Sequence, residues 1–424
     1  MCRSEETKSE AMSRHLRRAT TYGAISVALL SLSTTLTIPH LQSRRDSLQC
    51  DVMCYGSLTS ARSALALVGA AMMGRLSDST RPNSRKQCLI VGSVATLVGM
   101  MIAANTYSIH GLWWSMIPGA LFQQNFNILK ALLSDLQDEG VSPSERAGAV
   151  GKLGMAAGLA FMVGPLVGAT ILKTFEHANA LGMVFVLASI AIDLTLPNPS
   201  RAPSTTSDSK GFTDFLSIKA ARTPGAFLLM AIRTFMALAF HIFQTIWSVA
   251  LKTRFDFGPA DYGKFMSFIG LAYALSQGFL AKFLLKTLGG NKSDKVRVRM
   301  ILACCCTLGV GRYVAFQTHS LAVVYVLFAS IVTALGLVNT ILAADTSYLA
   351  SSDEIGSLFG LLASAESGAG MIGPALGGAL AYIHPDRAPL FFVVSLYVAV
   401  YLLVSWGYEK HVLKGSKASS GKIV

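Results

Sequence analysis

The stretch 151-GKLGMAAGLAFMVGPLVGA-169 returns, 209 residues further on, as 360-GLLASAESGAGMIGPALGG-378. Gly151, Ala160, Gly164, Pro165, Gly168 and Ala169 fall on Gly360, Ala369, Gly373, Pro374, Gly377 and Gly378. The shift is close to half of the 424 residues, so the chain reads as two copies of one unit fused in tandem. The same displacement carries Glu145 onto Glu354 and brings Asp135 within one residue of Asp345, and a weaker echo relates Gly74 and Leu76 to Gly278 and Leu280. Small residues on an apolar helix let two backbones approach closely in lipid, where no hydrophobic force drives helices together, and the proline adds a bend. The repeat therefore reads as a helix-packing motif with a pivot in it.

Outward from this repeat the chain is a succession of apolar stretches. Hydrophobic residues make up 52% and charged residues only 14%, against roughly 25% charge in an ordinary soluble domain. A bilayer-spanning helix needs about 20 apolar residues. Stretches of that kind lie near 20–41, 52–75, 86–106, 111–134, 148–172, 179–197, 223–250, 264–285, 298–318, 321–343, 355–380 and 388–408. The fifth answers to the eleventh, which leaves six helices to each copy. The expected fold is an all-α membrane protein with twelve transmembrane helices in two pseudo-symmetric six-helix bundles. The bundles cover 20–197 and 223–409, with an N-terminal tail over 1–19, a linker over 198–222 and a basic tail over 410–424. The linker, rich in Pro and Ser with almost no apolar residues, is of flexible composition.

The net charge of +13 would suit a nucleic-acid binder, but its distribution argues otherwise. With twelve spans and a cytoplasmic N-terminus, 25 of the 36 Lys and Arg fall on the cytoplasmic side and 7 on the other, as the positive-inside rule requires. Both termini are then cytoplasmic, in a plasma membrane or an endomembrane, and no polar stretch is long enough to fold alone and bind nucleic acid. The apolar stretch Thr21 to Leu41 lacks a small-residue cleavage site and reads as an uncleaved first helix. Cys50 and Cys54 in the first outer loop are expected as free thiols in preference to a bridge, and Cys304, Cys305 and Cys306 as packing residues.

Charges inside spans are costly and ask for a partner or a wet cavity. Arg62, Arg233 and Glu366 each lie about ten residues from a span end, close to the midplane where transporter sites sit. The residue 209 positions before Glu366 is Ala157, so this carboxylate is an addition to the shared scaffold. Gln244 follows Arg233 by eleven residues, about 20° around the same helix. In the fourth span Gln123, Gln124, Asn125 and Asn127 cover much of the surface. Arg62, Gln123, Asn127, Arg233, Gln244 and Glu366 are the candidates for binding solute or a coupling proton, with an ion pair between Arg233 and Glu366 as the purely structural alternative. Arg312 and His241 read as boundary residues. Neither a catalytic triad, a metal-ligand cluster nor a nucleotide-binding loop is present, so neither an enzyme nor a cofactor is expected.

Two motifs resemble those of a known family. Residues 151–169 are similar to the Gly-x8-Gly-x3-Gly-Pro-x2-Gly-Gly motif of the drug:proton antiporters of the major facilitator superfamily, with two glycines replaced by alanine. Gly74-Arg-Leu76-Ser-Asp78, followed by Arg81, Arg85 and Lys86, resembles that superfamily's loop between helices two and three, but is about three residues longer and lacks the second glycine. Ile117–Leu121, Tyr262–Gly270 and Gly356–Ala381 are similar to the organic cation transporter-like branch of the solute carriers, and more distantly to tetracycline-efflux proteins. The resemblance implies a secondary transporter that exposes a central site alternately to each side. Its cargo would be a small organic solute, drug-like or an organic cation, with protons as the coupling ion and a monomer in the bilayer as the working unit. It also implies a cytoplasmic gate of charges, for which Gly74, Asp78, Arg85, Lys86, Asp135, Glu145 and Arg146 occupy the matching places, with Asp345 and Glu354 as second-half counterparts. Antiporters of this type carry an arginine before the glycine of the fourth span, where this chain reads Trp113-Trp-Ser-Met-Ile-Pro-Gly119. That departure motivates an alternative: a receptor or scaffold that kept the fold and lost transport.

Overall fold

In the computed structural model, residues 2–77, 83–135, 143–196, 222–290, 293–347, 349, 355–385 and 387–413 are described. Among them every regular element is helical. In chain order these are α1 (Cys2–Thr35), α2 (Ile38–Ser47), α3 (Val52–Ser77), α4 (Ser84–Asn105), α5 (Ile109–Phe122), α6 (Asn125–Asp135), α7 (Pro143–Thr170) and α8 (Phe175–Thr195). There follow α9 (Pro224–Phe255), α10 (Pro259–Leu275), α11 (Ala281–Thr287), α12 (Asp294–Gln317), α13 (Leu321–Ser347), α14 (Ile355–Ile383) and α15 (Arg387–Leu403). The π-helical segment Ser276–Leu280 joins α10 to α11, and another, Val404–Leu413, continues α15. The first helix begins at Cys2, so the segment expected as a tail is continuous with it.

Among the described residues, eight stretches are long and apolar enough to cross a membrane: Arg17–Ser47, Ser84–Asn105, Lys152–Thr170, Phe175–Thr195, Pro224–Phe255, Asp294–Gln317, Leu321–Thr346 and Arg387–Leu413. The remaining four expected spans are helical as well, and two of them are interrupted. They are α3, the α5–α6 pair, α10 with α11, and α14, and they correspond to spans two, four, eight and eleven. Three of the four carry the midspan candidates Arg62, Gln123, Asn127 and Glu366.

The chain divides into two compact units: Met1–Gln49 with Ala64–Ser207 and Gly258–Gly270, and Cys50–Ser63 with Asp208–Phe257 and Leu271–Val424. In the first, α7 lies against the end of α1. A Cβ at Gly164 would meet Thr35 Oγ1 at 1.9 Å, and one at Gly168 would meet the Leu36 carbonyl oxygen at 2.2 Å. Only glycine allows that approach, and it is sealed by hydrogen bonds from Thr35 Oγ1 to Ala160 O (3.2 Å) and from His40 Nε2 to Gly168 O (2.8 Å). In the second unit α14 lies against α9 in the corresponding way. A Cβ at Gly373 would be 2.7 Å from His241 Cβ, and one at Gly377 3.1 Å from Ile242 O. Thr35 and Leu36 stand to His241 and Ile242 as one repeat to the other, 206 residues apart.

The opposite faces of these helices repeat as well. Gly263 packs on α7, where a Cβ would meet Ala169 Cβ at 2.2 Å and Pro165 O at 2.5 Å, and Ser267 Oγ donates to Met162 O at 2.7 Å. Gly56 packs on α14, where a Cβ would meet Pro374 O at 2.2 Å, and the Ala375 amide donates to Ser60 Oγ at 2.8 Å. Gly56 and Ser60 precede Gly263 and Ser267 by 207 residues. Proline lacks an amide proton and pushes its own helix off ideal geometry, which opens carbonyls and amides near it to outside partners.

Three expectations are corrected. The fourth span is not one helix: it stops at Phe122 and restarts at Asn125. Pro118 weakens the turn before the break, and the residues after it are tied to neighbours, Gln124 Nε2 to Ala66 O (3.3 Å) and Asn125 Nδ2 to Leu89 O (3.0 Å). Cys50 and Cys54 are joined in a disulfide, not free, with Cα atoms 5.3 Å apart. Asp51 Oδ1 accepts from the Cys54 amide at 2.8 Å, which turns the chain so that the two cysteines face each other. Arg312 is not a boundary residue; it is 2% exposed.

Candidate functional site

α9 carries Arg233 and α14 carries Glu366, and the packing of these two helices brings the side chains together. Arg233 Nη1 donates to Glu366 Oε1 at 2.9 Å. The pair is asymmetric in exposure: 16% of the Arg233 side chain is exposed against 40% of Glu366. Arg233 Nε is buried without a hydrogen-bond partner. An arginine held inside a helix pair and a carboxylate with a free edge make a site that can bind a cation, exchange a proton, or release the arginine toward an anion. Gln244 is half-buried three turns along α9, and Arg62 is exposed on α3.

The first unit contributes the interrupted fourth span. Gln123 caps α5 with its amide on Gly119 O (3.0 Å), and the Gln124 amide turns back to Phe122 O (2.9 Å). Asn127 Nδ2 donates to Gln124 Oε1 (3.3 Å), so both side chains that follow the break are tied toward α3. A discontinuous helix near mid-membrane exposes backbone groups that continuous helices keep to themselves, and transporters build solute sites from such breaks.

Of the residues expected in a gate or in the packing motif, Asp78 and Glu354, and the side chains of Asp135, Glu145, Arg146 and Gly151, lie outside the described residues. Lys86 Nζ donates to the carbonyl oxygens of Leu194 and Leu196, closing the C-terminus of α8. Arg85, buried, donates to Ser77 Oγ at 3.4 Å. A Cβ at Gly74 would meet nothing within 4 Å. The turn for which the resembling loop uses a second glycine is made here by Asn83, at φ 64°; asparagine tolerates that left-handed conformation better than most residues. Asp345, 2% exposed, receives Arg297 on one oxygen and Tyr408 Oη on the other at 2.6 Å.

A second polar cluster was not singled out by the sequence. Asp193 is fully buried on α8. Ser26 Oγ donates to its Oδ1 at 2.6 Å and Ser93 Oγ to its Oδ2 at 3.4 Å, while Asn125 Nδ2 donates to Ser93 Oγ at 2.8 Å. Ser189 Oγ lies 2.9 Å from Ser26 Oγ. This chain of hydrogen bonds links α1, α4, α6 and α8. Its one legible signal was an aspartate near the end of an apolar span.

A family model described as Major Facilitator Superfamily matches residues 23–374. The chain belongs to the Major Facilitator Superfamily. Among curated relatives, solute carrier family 22 member 18 of Mus musculus is 23% identical over 410 residues, covering 94% of this chain and 97% of that protein. Multidrug resistance protein 2 of Bacillus subtilis (strain 168) is 24% identical over 395 residues, covering 91% and 94%. Among solved structures, the crystal structure of the human organic anion transporter MFSD10 (TETRAN) superposes with a TM-score of 0.66 at 19% identity, over 92% of this chain and 99% of that one. This major facilitator chain is thus an integral, multi-pass membrane protein of a transporter family, not an enzyme.

Proposed function

We propose that this major facilitator protein is a secondary active transporter that moves a small organic solute by alternating access, with Glu366 as the group that couples the cycle to protons. The observation that carries the reading is the ion pair between Arg233 and Glu366. It joins the first half of α9 to the first half of α14, and its carboxylate is two-fifths exposed while its arginine is largely covered. When Glu366 is ionised it holds Arg233; when it is protonated the arginine is released, and solute and proton compete for the same pair. Within the second unit Gln244 on the same helix and Arg62 are further polar candidates for solute, and Gln123 and Asn127 beside the helix break are the candidates in the first unit. The resemblance to organic cation and drug transporters favours a drug-like amphiphile as cargo.

The cytoplasmic charges form the gate in this reading, with Arg85, Lys86, and Asp345 held by Arg297 and Tyr408 among its described members. Both termini face the cytoplasm. The disulfide between Cys50 and Cys54 supports that orientation, because disulfides persist in oxidising compartments, as an outer loop would face. Six helices on each side of the 198–222 linker form the two bundles, and the protein works as a monomer.

The test is flux in proteoliposomes, with a panel of organic cations, zwitterions and anions offered with and without an imposed pH gradient. Uptake of at least one solute, stimulated by the gradient in wild type and insensitive to it in Glu366→Gln, is the expected result. No flux of any member in either gradient direction would leave the receptor or scaffold reading in its place.

A further inference from the structure

Arg312 lies on α12, inside the second unit, and carries a charge that the helices around it do not balance. It is 2% exposed. Its guanidinium sits 5.5 Å from the Phe243 ring and 5.1 Å from the Tyr397 ring, so aromatic faces of α9 and α15 flank it. Nη1 donates to Leu308 O of its own helix at 3.0 Å, while Nε is buried with no acceptor. Among the described residues no carboxylate lies within ion-pair distance of it. Tyr397 is 3% exposed, and its Oη is likewise buried without a hydrogen-bond partner.

Arginine does not shed its proton in proteins, so the charge stays. Cation–π contact with two rings offsets part of the desolvation, but it leaves the edge donors unused. Buried donors without partners are rare, and here two belong to residues in contact. A water molecule would accept from both and leave the positive charge uncompensated in a low-dielectric interior; an anion would do both. The space is narrow. A Cβ at Gly309 would be 3.1 Å from Tyr397 Cβ and one at Gly311 2.9 Å from Ile331 Cγ1, so α12 is drawn tightly against α15 and α13. Phe243 is backed by Trp247 at 5.6 Å, which stacks on Phe328 at 4.9 Å. An organic anion does not fit between helices packed so closely.

We propose that Arg312 and Tyr397 hold a resident inorganic anion of halide size inside the second unit, bound by Arg312 Nε–H and Tyr397 Oη–H. The site is separate from the Arg233–Glu366 pair and does not depend on the reading given to that pair. The bound anion neutralises the buried charge and makes the stability of this unit depend on halide.

The test uses the purified full-length protein in detergent, with chloride exchanged for gluconate at constant ionic strength. The melting temperature is expected to rise by at least about 3 °C with chloride and to saturate, and Arg312→Met should remove that dependence while the protein still folds, because an apolar side chain of similar length fills the position. Tyr397→Phe, which keeps the ring, should raise the half-saturating chloride concentration three- to tenfold. Crystals grown in bromide should show an anomalous peak in contact with Arg312 Nε and Tyr397 Oη. Equal melting in chloride and gluconate, an unchanged halide response in either variant, or a bromide-free site would overturn the proposal. If Arg312→Met does not fold, the Tyr397→Phe titration and the anomalous map decide.

Discussion

Replacing Gly56 with alanine probes the close approach of α3 to α14. The added Cβ would lie 2.2 Å from Pro374 O and 3.0 Å from its carbonyl carbon, whereas ordinary contact begins at 3.4 Å. The struck atoms are backbone, so α3 must retreat by about 1 Å. One turn further along α3, the Ala375 amide reaches Ser60 Oγ at 2.8 Å; the same retreat stretches that bond past about 3.5 Å, where it no longer holds. Overpacking costs about 1–3 kcal/mol and the lost bond about 1 kcal/mol. Together, about 2–4 kcal/mol would shift the population with this seam closed by roughly 30- to 1,000-fold. The assay is initial solute uptake into proteoliposomes at matched protein per lipid, with Gly154→Ala as control, since a Cβ at Gly154 meets nothing within 4 Å. Uptake should fall at least tenfold in Gly56→Ala and stay near wild type in the control. Equal rates in the two variants would show that the close contact does not matter.

Gly263→Ala, which places a Cβ 2.2 Å from Ala169 Cβ and 2.5 Å from Pro165 O, should match Gly56→Ala in the same uptake assay. Glu366→Gln should abolish pH-driven uptake and preserve counterflow exchange of solute; pH-driven uptake at the wild-type rate would remove Glu366 from the mechanism. Asp193→Ala leaves Ser26 and Ser93 facing a void in a buried network, and should lower the melting temperature of the detergent-solubilised protein by several degrees, with Asp193→Asn recovering part of the loss. Tyr408→Phe removes the hydroxyl that donates to Asp345 and should destabilise by about 1–2 kcal/mol, read as a lower melting temperature with unchanged membrane abundance.

The two-copy organisation was legible because packing in lipid leaves a signature in residue size: Gly164, Pro165 and Gly168 recur with Gly373, Pro374 and Gly377, and each pair meets an equivalent partner. The Gly56–Ser60 and Gly263–Ser267 pairs carry the same signal at a shift of 207, but four small residues are too common in membrane helices to stand out. The pairing of Arg233 with Glu366 was legible as one of two options, since charges at equal depth in apolar helices seek each other. What stayed hidden depends on side chains far apart in sequence. Ser26 and Asp193 are 167 residues apart, and a serine facing a buried aspartate reads like any other small residue. Distance to the span end puts Arg312 near the boundary, but depth along a helix says nothing of which face the residue occupies. The break at 123–124 follows from tertiary ties of Gln124 and Asn125 to Ala66 and Leu89, which override the helical preference of an apolar stretch.

The four spans that carry Arg62, the α5–α6 break, the π-helical turn and Glu366 have a bearing on how the protein is made. Arg62 on α3, the break between α5 and α6, the π-helical turn Ser276–Leu280 and Glu366 on α14 each subtract from what these spans gain by entering lipid. Each of them follows directly on one of the apolar stretches: Arg17–Ser47, Ser84–Asn105, Pro224–Phe255 and Leu321–Thr346. During synthesis the helix just inserted can therefore retain the weaker one that follows, so that the two enter as an arm-and-counter-arm pair. Helices polar enough to line a working cavity are in this way the ones whose insertion depends on the neighbour made immediately before them, and a destabilising change in α1, α4, α9 or α13 would be felt first as a failure of the next helix to stay in the bilayer.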